Sequence, residues 1–308
     1  MDKKKIISLT IIAILAIFLV VKKYANFSGL QETVKWENPD EILIKSKAET
    51  VRIYKKDSKW VINDEAYPAS EAAVQSVVSK LQEFKLAEVI TDKPYYDKYD
   101  LGDESGVEVT VTKSDKTVLN AVIGKKSSAG SKVYAKNKSE NAVYLADGIS
   151  QTDLNKGLNN WREKKIYSVN KDIVAKFMIQ YGTENSVYKK TEKKVETMSD
   201  SKPEESTEKA VSEWELEGSS VKMNQELLSD ILGEITNVFA ASFLDTPNTE
   251  KEILRVIITA EKEYILDIIK KDSDGKYICR TPESPYTFKM EPYKVEKFMK
   301  KAEDIKMK

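Results

Sequence analysis

Apolar and polar residues alternate along most of this chain. Twice the alternation gives way to a helical period at the same place relative to a tryptophan. "WVINDEAYPASEAAVQSVVSKLQEF" runs from Trp60 to Phe84, and "WELEGSSVKMNQELLSDILGEITNV" from Trp214 to Val238. In each, a Trp-initiated strand is followed ten positions on by a helix-capping residue type, Ser70 or Asn224. Counted from the Trp, Val74, Val77, Val78, Leu81 and Phe84 coincide with Leu228, Ile231, Leu232, Ile235 and Val238. The shared spacing predicts an amphipathic helix in both stretches, in the same register. Most of the side chains differ, so it is the pattern that repeats.

The flanking runs repeat as well. "EILIKSK", "TVRIYKKD" and "KWVIN" read as strands before the first helix. "AEVIT", "VEVTVTK", "TVLNAVIG", "KVYAKN" and "AVYLAD" follow it, and Ser150 opens a short helix. The second half gives "KFMIQYG", "SVYKK" and "EWELE", then its helix, then "ASFLD", "ILRVIITA", "EYILDII", "KYICR", "PYTFKM" and a terminal helix from Pro292. Spacers between adjacent strands are too short for parallel crossovers, so the sheets are expected to be antiparallel meanders. Val89 and Ile90 match Phe243 and Leu244 at the offset of the Trp pair, 154. Val107, Val109 and Val111 match Leu254, Val256 and Ile258 at 147, which places a loop seven residues longer in the first copy.

The N-terminus departs from this pattern. Ile6 to Val21 is a run of sixteen uncharged residues bracketed by Lys3, Lys4, Lys5 and by Lys22, Lys23. As a helix it would reach about 24 Å, near the short limit for a bilayer, with the lysines extending it. The rival is a cleaved signal peptide, but the run ends in Val-Val-Lys-Lys-Tyr with no small-x-small site. The expected fold is therefore α+β: a single N-terminal transmembrane helix followed by two tandem copies of an antiparallel-sheet-plus-helix unit. Its expected parts are an anchor (1–24), a stalk (25–39), a first repeat (40–157), a connector (158–172) and a second repeat (173–308). Residues near 191–212 carry almost no apolar side chains and are expected to be a disordered insertion in a hairpin. The short basic N-terminus favours a cytoplasmic start and an extracytoplasmic remainder at a bacterial cell membrane.

Charge and chemistry narrow the function. Lys and Arg total 50, as do Asp and Glu, so no net field draws in nucleic acid. The chain has no histidine, which removes Ser–His and Cys–His activation and the commonest metal ligand. The one cysteine, Cys279, forbids an internal disulfide and reads as a small buried residue of an alternating strand. No cofactor or metal is expected. "IGKKSSAGSK" lacks the first glycine of a phosphate loop, with Leu119 in its place. "DSDG" at Asp272 to Gly275 has Tyr277 where a calcium loop needs glycine, and reads as a tight turn.

One loop stands apart. "KPYYDKYDLG" gathers Tyr95, Tyr96 and Tyr99 beside Asp97 and Asp100, and the second copy lacks it. Such a loop either folds its tyrosines back onto the sheet or offers them to a protein or carbohydrate. Trp60 and Trp214 are expected in the core, and Trp161 with Arg162 at the junction of the copies. Tyr95, Tyr96, Tyr99, Trp161 and Arg162 form the candidate interaction surface; no catalytic, cofactor or metal residue is singled out.

The stretch "KWVINDEAYPASEAAVQSVVSKLQEFKLAEV", then "YDLG", "VLNAVIGKK" ending its strand at Gly124, and "KVYAKNKSENAVYL" resemble the bacterial family called domain of unknown function 4340. "NNWREKKIYSVNKDIVAKFMI" is similar to that family's linker. The resemblance covers roughly residues 40–180, with the second copy a weaker match. It implies a membrane-anchored extracytoplasmic protein; some members resemble auxiliary components of ABC-type exporters. The first expectation is thus a non-catalytic accessory or interaction component of a membrane transport or envelope system, anchored through Ile6 to Val21. The alternative is an envelope binding module for a wall polymer, lipid or peptide, and an enzyme is the least favoured.

Overall fold

The computed structural model describes residues 36–128, 130–197 and 207–307, and the chain divides into two compact units, one through Arg162 and one from Glu163. The first contains strands β1 (Glu41–Lys45), β2 (Thr50–Lys56), β3 (Lys59–Ile62), β4 (Tyr67–Pro68), β5 (Lys85–Thr91), β6 (Val107–Lys113), β7 (Lys116–Lys126), β8 (Val133–Asn137) and β9 (Val143–Asp147). Its helices are α1 (Glu71–Glu83), α2 (Gln151–Leu154) and α3 (Leu158–Trp161). The sheet order is β4-β3-β2-β1-β6-β7-β8-β9-β5, with every pairing antiparallel.

The second unit contains β10 (Lys165–Ser168), β11 (Lys176–Tyr181), β12 (Glu184–Thr197), β13 (Thr207–Leu216), β14 (Asn237–Phe239), β15 (Ser242–Leu244), β16 (Leu254–Thr259), β17 (Glu263–Lys271), β18 (Tyr277–Thr281) and β19 (Ser284–Met290). Helix α4 (Gln225–Thr236) follows β13, and α5 (Pro292–Phe298) follows β19. Its large sheet runs β13-β12-β11-β16-β17-β18-β19-β15, while β10 and β14 form a separate pair. Strand for strand this is the first sheet without β4. The duplicated pattern is therefore a duplicated topology.

Local chemistry explains the repeated corner. The Ser70 hydroxyl caps α1 by accepting from the Ala73 amide at 3.3 Å, and Asn224 caps α4 by accepting from Leu227 at 3.0 Å. Val74, Val77, Val78 and Leu81 are buried on α1, as are Leu228, Ile231, Leu232 and Ile235 on α4. In the second unit these helical residues share one core with Phe177, Val256, Ile258, Leu266, Ile268 and Cys279 from alternate positions of the strands. Trp60 and Trp214 are both buried. Cys279 is fully buried; desolvation raises its thiol pKa and keeps it neutral and unreactive. The "DSDG" segment is a tight turn, with Gly275 at φ +80° and the Asp272 carboxylate accepting from the Asp274 and Lys276 amides at 2.9 Å each.

Three expectations are corrected. Strand dominates the described residues, which form two large antiparallel sheets and only short helices, rather than an α+β chain led by a transmembrane helix. No described helix is long and apolar enough to cross a membrane, and Ile6 to Val21 lies outside the described residues. Where low apolar content predicts a disordered insertion near 191–212, β12 and β13 pair in register from Tyr188↔Leu216 to Thr197↔Thr207, and residues 198–206 lie outside the described residues. A backbone ladder satisfies its own donors and acceptors, so strand pairing does not require an apolar sequence. Trp36, placed by sequence in the stalk, is buried, and its carbonyl accepts from the Gln82 side chain of α1 at 3.0 Å.

Candidate functional site

Trp161 and Arg162 are the last two residues of the first unit. Ser70 donates its amide to the Trp161 carbonyl at 2.8 Å, and Arg162 forms an antiparallel bridge with Ala69. The second unit closes identically, with Asn224 donating to the Ile305 carbonyl at 2.8 Å and Lys306 bridging Met223. Trp161 is fully buried beneath the Lys156 ammonium, and the Arg162 guanidinium lies 3.9 Å from the Tyr67 ring centroid. These partners, Ala69, Ser70, Lys156 and Tyr67, all belong to the first unit, so the pair is that unit's closing clasp.

The tyrosine loop folds over the other part of the sheet. Tyr96 to Tyr99 form a single 3-10 turn, ended by Asp100 in the left-handed conformation. Tyr99 is buried and its ring packs on Tyr134 of β8 at 4.6 Å; Leu101, Val122 and Val143 complete this small apolar cluster. Tyr96 reaches the Asn141 side chain at 3.2 Å and carries the Lys136 ammonium 3.9 Å from its ring centroid. Tyr95 points outward, 56% exposed. Two of the loop's tyrosines thus fold back onto the sheet, and Tyr95 is left exposed.

Glycines allow the loop to lie so close. A Cβ on Gly124 of β7 would stand 2.2 Å from the Tyr99 carbonyl oxygen, and one on Gly106 would meet Val122 at 2.7 Å. β7 runs on past Gly124 to Lys126, and "VIG" within it makes room for "YDLG" above.

Between loop and sheet is a cavity of about 530 Å³. A row of side chains crosses its floor on adjacent strands: Lys45, Glu108, Val122 and Lys136, each the direct cross-strand partner of the next. Lys138 pairs with Glu108, and Asp97 and Asp103 overhang from the loop. The second unit has the corresponding row Gln180, Arg255, Asp267, Arg280. There the central carboxylate is 5% exposed and accepts from Arg255 Nε at 2.7 Å, Arg255 Nη2 at 3.0 Å and Arg280 Nε at 3.0 Å. Arg280 also binds the carbonyls of Asn248 at 3.2 Å and Glu250 at 2.9 Å, tying the shorter loop down. Burial pushes the Asp267 carboxyl up, but the hydrogen bonds from Arg255 and Arg280 outweigh it and hold the group below the usual carboxylate range. One row is locked by its own ions and the other has an apolar centre beneath an open cavity.

A family model described as Domain of unknown function (DUF4340) matches residues 60–267, more than half of the chain and parts of both units. The chain belongs to that family. No curated protein and no solved structure matches it. For this DUF4340 chain, sequence reasoning found the tyrosine loop through its composition. It missed Lys45, Glu108, Val122, Lys136 and Lys138, because residues from four strands become neighbours only through sheet register. Among the described residues, no group of three or more Cys, Asp or Glu is placed to hold a metal ion.

Proposed function

We propose that this DUF4340 chain is a non-catalytic, membrane-tethered extracytoplasmic protein that works as an interaction component of a membrane transport or envelope system. The observation that carries this reading is the asymmetry between its two units. The first spends a long loop on presenting Tyr95 and on roofing a cavity, where the second uses an ion cluster to shut the same place. The charged groups at the cavity are lysines and carboxylates without a histidine or an activated nucleophile, which suits recognition better than bond breaking. The apolar run Ile6 to Val21 supports attachment to a membrane, and the family resemblance supports an ABC-type exporter as the partner system.

A photo-crosslinking residue in place of Tyr95, in full-length protein within intact membranes, tests this. The expected result is a discrete adduct with an integral membrane transport component, absent when the probe replaces Lys189 on the second unit. Adducts at both positions alike, or none, would refute the reading. The cavity itself favours a second one, an envelope binding module, which crosslinks to wall polymer or peptide alone would select.

A further inference from the structure

The two rows indicate what the open one binds. In the second unit a carboxylate sits at the centre of the row between two cations. In the first unit that centre is Val122, with no carboxylate of its own, beside Lys136. Lys136 rests on the Tyr96 ring, and no carboxylate of the described residues pairs with it or with Lys45. Asp97 and Asp103, on the roof, likewise have no side-chain donor among the described residues. The cavity therefore offers unpaired positive charge along its floor and unpaired negative charge along its overhang, with apolar Val122 and Leu101 between. Glu108 adds little to either, because Lys138 neutralises it.

We infer that this cavity binds a short peptide as a zwitterion, its terminal carboxylate seated over Val122 against Lys136 where the second unit has Asp267. The peptide's ammonium faces Asp97 and Asp103. Strands are spaced about 4.8 Å apart, so the row from Lys45 to Lys136 spans about 14 Å. An extended tripeptide, about 10 Å long, fits within it. Charge-assisted bonds at both ends would fix its direction, and the cation–π contact of Lys136 with Tyr96 holds the ammonium in place before the ligand arrives. The inference rests on the binding-module reading of this same cavity and names the ligand's chemistry.

Calorimetric titration of the full chain in detergent with trialanine tests it. Saturable binding is expected, at least tenfold weaker for the C-terminal amide and for the Lys136→Gln variant. The N-acetylated peptide should lose at least fivefold, and that loss should vanish in Asp97→Asn/Asp103→Asn. Val122→Asp would supply the second unit's carboxylate and abolish binding; circular dichroism reports whether it folds, and Lys136→Gln carries the test if it does not. No saturable binding overturns the inference, as does equal affinity for the amide or for Lys136→Gln. Equal binding of inorganic phosphate would show a plain anion site and also overturn it. Crosslinking from Tyr95 does not depend on the cavity being filled, so a negative titration with a positive crosslink would reject the peptide and leave the interaction role standing.

Discussion

Asp267→Asn removes the centre of the second unit's ion cluster while keeping its volume. The wild-type carboxylate is nearly inaccessible and accepts three guanidinium bonds. Removing one partner of a buried ion pair costs about 3–5 kcal/mol, because the other charge is left without compensation. Here the partners are neither buried nor stranded: the Arg255 and Arg280 side chains are 33% and 30% exposed and both keep Glu252, at 3.5 and 3.2 Å, so water and that carboxylate take over part of their compensation. The discounted cost is about 2–3 kcal/mol, or about 5–10 °C in the melting temperature of a unit this size. The sign of the pH dependence follows from the folded-state carboxyl lying below its ordinary value. Its contribution is complete above the unfolded value, about 4, and is lost as pH falls through the folded value. The gap between wild type and variant should therefore be full at pH 7 and shrink steadily below about pH 4. Urea unfolding at several pH values would measure it, with hydrogen exchange of peptides covering 245–281 to localise the loss. A variant within about 0.5 kcal/mol of wild type at pH 7, or a gap that does not change with acid, would refute the argument.

Leu232→Asp and Val78→Asp each bury an unpaired carboxylate at equivalent helix positions and should each cost several kcal/mol, read as separate unfolding steps by fluorescence and limited proteolysis. Glu234→Ala, on the polar side of α4, breaks a 2.6 Å ion pair between this half-buried carboxylate and the exposed Lys297 and should change stability by no more than about 1 kcal/mol in the same assay. Gly124→Ala should detach the tyrosine loop, since its Cβ would collide with backbone; faster exchange of the Tyr96 to Leu101 amides without loss of the helix signal would show it. Trp161→Ala should destabilise the first unit by about 3–5 kcal/mol through the cavity it leaves, and a near-neutral result by thermal melting would contradict its role as a clasp. Protease added to intact spheroplasts should digest the chain beyond the apolar run; full protection would sink the extracytoplasmic orientation.

What the sequence determined by itself was the repeating corner. A helical period, a capping residue and a turn act over a few neighbouring positions, so Trp60 with Ser70 and Trp214 with Asn224 could be aligned without a structure. The antiparallel pairing of consecutive strands also followed, because short spacers leave few alternatives, whereas the non-consecutive pairs β1–β6 and β5–β9 did not. Cys279 and the Asp272 turn were legible for the same local reason. Only the tertiary structure decided the rest. That Trp161 and Arg162 pack into the first unit was hidden, because nothing in their neighbourhood shows that the chain returns to pair with Ala69, nearly a hundred residues earlier. The polar hairpin of β12 and β13 looked disordered because apolar content measures burial and is silent about ladder hydrogen bonds. The two rows, Lys45 to Lys136 and Gln180 to Arg280, were invisible for a sharper reason. Each draws its residues from four strands, and a slip of one residue in any pairing would turn that strand's member to the opposite face. Periodicity tells which face a residue shares with its own strand; only register tells which charge it will meet across the sheet.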